Sequence, residues 1–183
     1  MRIRNKYIIE LDYEYDHESL LELYNRHECT PYKHQVTGKE LGFSHCYTEY
    51  LFNEPVVQKI IADFSYLDLR FEFGEHCKST GFTLCESRMA PDLTITPHID
   101  YARSACLTFP LTFPQVVQFY DGDDVVYEYQ YQHQTAVLGN IGSIKHGVTY
   151  APDIRRQFQL DIFNTWDEIS EIISNKALDK YNL

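Results

Sequence analysis

The sequence lacks the features that would place it in a membrane or in a disulfide-stabilised class of protein. No apolar run approaches the roughly 20 residues that span a bilayer. Residues 1–16 carry charges where a secretory signal would have an apolar core. The five cysteines are an odd number, are widely spaced and form no C-x-x-C pair, which argues against a disulfide framework and a structural zinc site. We therefore expect a cytoplasmic protein.

Positive charge is also scarce. The chain has 16 Lys and Arg residues against 27 Asp and Glu residues, a formal net charge of −11. Such a chain has no bulk electrostatic attraction to nucleic acid, so we expect no nucleic-acid or membrane partner, only a small-molecule or peptide substrate. Internal repeats and Gly/Ser linkers are absent, and 183 residues suit one domain with its own core.

What is present is a mixed pattern of helices and short strands. Helical periodicity and capping residues predict helices over residues 16–27, 53–64 and 166–181. The second of these is predicted to begin at Asn53, with Pro55 in its first turn. Between the first two helices, residues 29–50 are predicted to be irregular. Alternation of apolar and polar residues predicts strands over residues 67–73, 82–89, 105–113, 116–121, 125–132, 135–140 and 154–163.

Short strands at regular spacing after a helical N-terminal third are typical of a barrel made of two sheets. We predict a mainly β fold with flanking helices, namely a double-stranded β-helix of the jelly-roll, cupin-like type. The segment Asp121–Asp124 is predicted to be a hairpin turn. The single predicted domain, residues 1–183, would consist of a helical N-terminal part (1–65), a barrel core (about 66–163) and a C-terminal helix (166–181).

Four residues in the strand-rich segment form an ordered set. His98 and Asp100 stand just before a long strand, His146 follows after several more strands, and Arg155 comes nine residues later. Singly, each of the first three has an ordinary alternative: a solvated loop histidine, a turn-capping aspartate and a strand end. Together they favour a metal site, because two imidazoles and one carboxylate leave positions open on the metal, as in the facial triad of non-haem Fe(II) oxygenases.

The segments "SRMAPDLTITPHID" (87–100), "KHGV" (145–148) and "RRQFQLDIF" (155–163) resemble the Fe(II)/2-oxoglutarate-dependent dioxygenase superfamily. Within it, the chain is most similar to the aspartyl/asparaginyl β-hydroxylase-like branch over residues 82–163. The residues that match that branch are Ser87, Pro91, Ile95, Pro97, His98, Arg155 and Asp161. Well-known members of the branch have no carboxylate ligand after the first histidine, whereas Asp100 matches the wider superfamily.

The resemblance implies an oxidoreductase, a dioxygenase that hydroxylates its substrate with Fe(II), 2-oxoglutarate and O2. It assigns the catalytic iron to His98, Asp100 and His146, and the far carboxylate of 2-oxoglutarate to Arg155, whose planar fork suits a carboxylate. The remaining candidates for contact with the co-substrate are Ser87, Arg103 and Gln157. An ordinary strand serine and a surface arginine are the alternatives for the first two.

Two questions stay open at the level of the sequence. Adjacent strand residues point to opposite faces, so either Arg155 or Arg156 faces the site, and we predict Arg155. The alternating row of Tyr127, Tyr129 and Tyr131 is predicted to pack within the sheet, although it could line a substrate cleft. The alternative function is a cupin-like metal-binding barrel without redox turnover, such as an isomerase or a sensor.

Overall fold

The computed structural model describes residues 3–27, 29–33, 38, 40–46, 51–69, 82–87, 97–101, 103–112, 116–148 and 155–179. In chain order its elements are β1 (Ile8–Glu10), α1 (His17–Arg26), β2 (Thr30–Lys33), β3 (Glu40–Cys46), α2 (Pro55–Asp63), β4 (Phe82–Ser87), β5 (Ala105–Pro110), β6 (Val116–Asp121), β7 (Asp124–Gln130), β8 (Val137–Gly139), β9 (His146–Val148), β10 (Arg155–Ile162) and α3 (Trp166–Asp179). Over these residues, every helix is too short or too polar to cross a membrane.

The strands form two sheets with antiparallel pairing throughout. The larger has seven strands in the order β1-β8-β5-β10-β4-β3-β2, and the smaller has three in the order β7-β6-β9. Successive side chains of a strand point to opposite sides of the sheet, so each face of the large sheet can pack against a different layer. One face packs against the helices, through residues such as Leu20, Ile60 and Ile169. The other packs against the small sheet, where Ile8 meets Phe119.

Strand β10 lies at the centre of the large sheet, between β5 and β4, and its two faces differ in chemistry. The face toward the helices carries the buried apolar residues Phe158, Leu160 and Ile162. The opposite face carries the buried polar residues Arg155, Gln157 and Asp161. Arg156 belongs to the helix side, where its guanidinium carbon lies 4.7 Å from the centre of the Tyr24 ring. The apolar row is therefore buried under helices, which leaves the polar row for the space facing the small sheet.

The helix and hairpin predictions are largely confirmed. Helix α1 is capped by the Asp16 carboxylate, which accepts a hydrogen bond of 3.0 Å from the Ser19 amide. Helix α2 has Glu54 as its N-cap, one residue beyond the predicted Asn53, with Pro55 as its first residue. The turn between β6 and β7 is the predicted one, and Gly122 adopts a φ of +61° there, which glycine reaches without strain.

The N-terminal part differs from the prediction, because it contributes β1, β2 and β3 to the large sheet in addition to its helices. The prediction of irregular structure over residues 29–50 is wrong for the β2–β3 hairpin. Strand β2 is an edge strand containing Pro31, a residue that edge strands tolerate and that sequence patterns read as a break. Of the predicted strand 67–73, residues 70–73 lie outside the described part, and Leu69 forms a bridge with Ile162.

Candidate metal centre

The backbone brings the two candidate histidines together. His98 and His146 form an antiparallel bridge in which each amide donates to the other residue's carbonyl, at 2.9 and 2.8 Å. Residues that pair in this way carry their side chains on the same face, and the two imidazole centroids are 4.6 Å apart. The Asp100 amide donates to the Ile141 carbonyl at 3.0 Å. Backbone hydrogen bonds thus hold all three candidate ligands in place.

The side chains of His98, Asp100 and His146 converge so that one possible ligand atom from each lies within 4.8 Å of the others. The His98 Nε2 is 3.2 Å from the Asp100 Oδ1, and the His146 Nε2 is 4.0 Å from the Asp100 Oδ2. Two ligands of one ion with bonds of about 2.1 Å lie at most about 4.2 Å apart. The 3.2 Å separation of the His98 Nε2 from the Asp100 Oδ1 lies within this limit, and two imidazoles with one carboxylate are a donor set that Fe(II) accepts.

The charges of the cluster also favour a cation. Burial would raise the pKa of Asp100, but the hydrogen bond from His98 and the positive charge of Arg103 outweigh it and hold that pKa well below its usual range. Burial lowers the pKa of His146 to about 4, against the opposing effect of Asp100. At neutral pH the site therefore presents a carboxylate and a neutral buried imidazole, the forms that bind metals.

Among the three candidate ligands, His98 is the most exposed to solvent. The side chain of His98 is 43% exposed, whereas that of His146 is 10% exposed. Next to the cluster, Tyr101 projects into solvent and is 97% exposed. His98 is therefore the candidate ligand that faces solvent, and His146 is the buried one.

Arg103 connects the cluster to the central strand. Its Nε and Nη2 each lie 2.9 Å from the Asp100 Oδ2, and its Nη1 donates to the Oδ1 of Asp161 on β10. Nη1 also lies 3.5 Å from the Cys106 sulfur. Burial would lower the pKa of this guanidinium, but the negative groups around it raise that pKa well above the usual value. Arg103 is therefore the cationic centre of an ionic network that includes one candidate metal ligand.

Arg155 lies on the same face of β10 as Asp161 and is only 2% exposed. Burial raises the pKa of the Tyr131 hydroxyl, while the positive charge of Arg155 and a hydrogen bond involving Thr108 act to lower it. Tyr131 and Thr108 thus belong to the polar surroundings of this arginine. A fully charged guanidinium enclosed in this way is a potential anion site.

Ser87 and Gln157, which are also predicted to contact the co-substrate, lie on the paired strands β4 and β10. The backbone register places Ser87 of β4 directly opposite Arg155. Gln157 is buried beyond Arg155, and its Oε1 accepts a hydrogen bond of 3.2 Å from the Gln159 side chain. The roles of Ser87, Arg103 and Gln157 in binding a co-substrate stay predictions.

From the sequence, Tyr131 was one member of a tyrosine row that could line a substrate cleft, and Arg103 was not paired with Asp161. Tyr129 and Tyr131 are both buried, as their alternation indicated. Alternation alone, however, could not tell that Tyr131 comes near Arg155. The signal that would have helped is the shared inward face of β10, which carries both Arg155 and Asp161.

Gly142 packs directly against the backbone that carries Arg103. A β-carbon at position 142 would lie 2.3 Å from the Arg103 carbonyl oxygen and 2.6 Å from the Ser104 Cα. We expect Gly142→Ala to lower the free energy of unfolding by about 1–3 kcal/mol, since overpacking forces the backbone to move. Urea denaturation measures the change. The matched control is Gly139→Ala, whose added carbon would have its closest contact at an ordinary 3.6 Å, and equal stability of the two variants would contradict the expectation.

Comparison with known proteins supports the fold. No protein-family model and no curated protein matches the chain. Among solved structures, the non-heme alpha ketoglutarate dependent epimerase SnoN from nogalamycin biosynthesis matches 86% of this chain and 78% of its own, with a TM-score of 0.53 and 8% identity. IDO from Bacillus thuringiensis matches over 86% and 93%, with a TM-score of 0.50 and 10% identity.

A Pseudomonas putida prolyl-4-hydroxylase matches over 86% of this chain and 92% of its own, with a TM-score of 0.48 and 13% identity. The TM-scores of SnoN and IDO indicate a similar fold, and at such low identities function has to be argued from the site. The chain therefore has a mainly β, antiparallel fold like that of SnoN, a non-heme alpha ketoglutarate dependent enzyme, and this fold brings His98, Asp100 and His146 together.

Proposed function

We propose that this protein is an Fe(II)- and 2-oxoglutarate-dependent oxygenase built on a double-stranded β-helix. The proposal rests on a three-donor cluster that lies near a buried arginine. Arg155 is buried on the face of β10 that also carries Asp161, and Asp161 is linked to the cluster through Arg103. The alpha ketoglutarate dependence of SnoN, which has a similar fold, supports the same conclusion by analogy. The aspartyl/asparaginyl β-hydroxylase-like branch is supported by the sequence motif alone.

The proposed iron ligands are the imidazoles of His98 and His146 and the carboxylate of Asp100. These residues fit the metal because each histidine brings its Nε2 to within 4.0 Å of the Asp100 carboxylate, which supplies one negative charge. Three protein ligands leave further positions for the co-substrate and oxygen. Bound iron would supply the oxidation of a substrate C–H bond to C–OH by O2, coupled to the conversion of 2-oxoglutarate into succinate and CO2.

The remaining roles fall to groups around the cluster. The buried guanidinium of Arg155 would hold the far carboxylate of 2-oxoglutarate, with Tyr131 beside it. The apolar residues Val117 and Phe119, which are buried between the sheets, would keep water from the reacting centre. The substrate, a small molecule or a protein side chain, would enter on the exposed side of His98.

Succinate release tests the proposal. We expect purified protein supplied with Fe(II), O2 and 2-oxoglutarate to form succinate slowly even without the true substrate, because the co-substrate can turn over uncoupled. Succinate is measured by mass spectrometry against protein loaded with Zn(II), a metal without redox chemistry. Absence of succinate, together with no 2-oxoglutarate binding by calorimetry, would favour the non-redox metal-binding barrel.

A further inference from the structure

We infer that Arg103 is a positioning residue of the metal centre, which holds one oxygen of Asp100 so that the other is directed at the metal. This inference rests on the proposed function, because it requires that a metal binds at His98, Asp100 and His146. Asp161 is the anchor that in turn holds Arg103. The arrangement differs from the sequence-based expectation, in which Arg103 would contact the co-substrate.

The first argument is that the two carboxylate oxygens of Asp100 have different partners. The Oδ2 lies 2.9 Å from both Nε and Nη2 of Arg103, so one edge of the guanidinium is committed to this single oxygen. The Oδ1 is the oxygen that lies 3.2 Å from the His98 Nε2. Because charge-assisted hydrogen bonds hold Oδ2, Oδ1 is the oxygen that lies next to His98 and would bind the metal.

The second argument is the rigidity of the support. The third nitrogen of Arg103 donates to Asp161, which is 3% exposed and sits in β10, the strand between β5 and β4. Next to Arg103, the Ser104 amide donates to the Ile162 carbonyl at 2.9 Å, so the backbone is tied to the same strand. Partners beyond the ligands orient a metal site in this way, and their replacement typically costs about 10- to 100-fold in metal affinity.

Charge and geometry can be separated by choice of variant. Asp100, Arg103 and Asp161 together carry a net charge of −1, from two carboxylates and one guanidinium. Arg103→Lys keeps that total, but one ammonium nitrogen cannot replace the fork that reaches both carboxylates. The double variant Arg103→Met/Asp161→Asn also keeps a net charge of −1, on Asp100 alone, and it removes the Asp161 charge that would otherwise stay buried without its partner. A loss of metal affinity shared by both variants therefore does not come from a change in the net charge of the network.

The experiment titrates each protein with Co(II) in the absence of 2-oxoglutarate and records visible absorption and thermal unfolding. We expect both variants to bind Co(II) about 10- to 100-fold more weakly than the unaltered protein, with altered absorption bands, because Asp100 is no longer held. Arg156→Lys is the matched control, since that arginine lies on the helix side of β10 over the Tyr24 ring. It should bind Co(II) like the unaltered protein.

The outcomes separate this inference from the proposed function. Unaltered affinity or unaltered absorption bands in the variants would overturn the positioning role and leave the metal centre standing. Failure of the unaltered protein to bind Co(II) would overturn both. Should Arg103→Lys fold poorly because Asp161 loses its partner, the double variant decides, since it removes both members of the buried pair.

Discussion

Replacing His146 with alanine is expected to abolish stoichiometric Fe(II) binding, with a loss of affinity greater than about 100-fold. The reason is that the substitution removes a ligand itself, whereas groups outside the ligand set typically contribute about 10- to 100-fold. The imidazole is neutral at pH 7, because burial lowers its pKa to about 4, so it competes for no proton before binding. His98→Ala should have the same effect, with little loss of stability, because its side chain is 43% exposed.

Anaerobic titration with Fe(II), followed by calorimetry, measures this affinity, and circular dichroism verifies that each variant is folded. His133→Ala is the matched control, because His133 is an exposed histidine whose ring contacts His17 and lies outside the cluster. It should bind Fe(II) as the unaltered protein does. Full Fe(II) affinity in both His98→Ala and His146→Ala would show that the metal centre has been assigned to the wrong residues.

Arg155→Ala is expected to weaken 2-oxoglutarate binding by about 2–5 kcal/mol, the usual consequence of removing one partner of a buried charge pair. In affinity this is at least about 30-fold. The guanidinium is 2% exposed and lies on the face of β10 that also carries Asp161, so water cannot readily replace it as a partner for a carboxylate. Calorimetry with the metal-loaded protein under anaerobic conditions measures the change.

Arg156→Ala serves as the control for this experiment. Its guanidinium stacks over the Tyr24 ring at 4.7 Å, on the side of the sheet covered by helices. We expect a modest loss of stability from the missing contact and nearly unchanged affinity for 2-oxoglutarate. The reverse order of effects, with Arg156→Ala the more damaging to binding, would mean that the co-substrate does not occupy the face that carries Arg155.

Strand β10 shows what the alternation of polar and apolar residues in a sequence can predict. The residues of "RRQFQLDI" divide into a polar row and an apolar row by their parity alone. The sequence of the strand does not indicate which row packs against helices and which faces the second sheet. The structure decides it, because Phe158 and Leu160 pack with helix residues such as Leu20. The polar row containing Arg155 is consequently turned toward the small sheet.

The strands that the sequence missed have identifiable physical causes. Strands β1 and β9 are each three residues long, too short for alternation to be recognised. Strand β2 contains Pro31, and its pairing with β3 shifts in register between Pro31 and Lys33. Strands β1 and β9 form through hydrogen bonds to neighbours that are distant in the chain, as Ile9 of β1 does opposite Leu138 of β8. A local pattern carries no information about such partners.

By itself the sequence determined the features that depend on near neighbours: the capped start of α1, the β6–β7 turn, the proximity of His98 to Asp100 and the two faces of β10. The tertiary structure alone decided that Arg103 would join Asp100 to Asp161, which lies 58 residues further along the chain. It also decided that His146 would pair with His98 across 48 residues. Local propensities arise from steric and hydrogen-bonding preferences of adjacent residues, whereas the candidate metal centre exists only where packed sheets bring separate strands into contact.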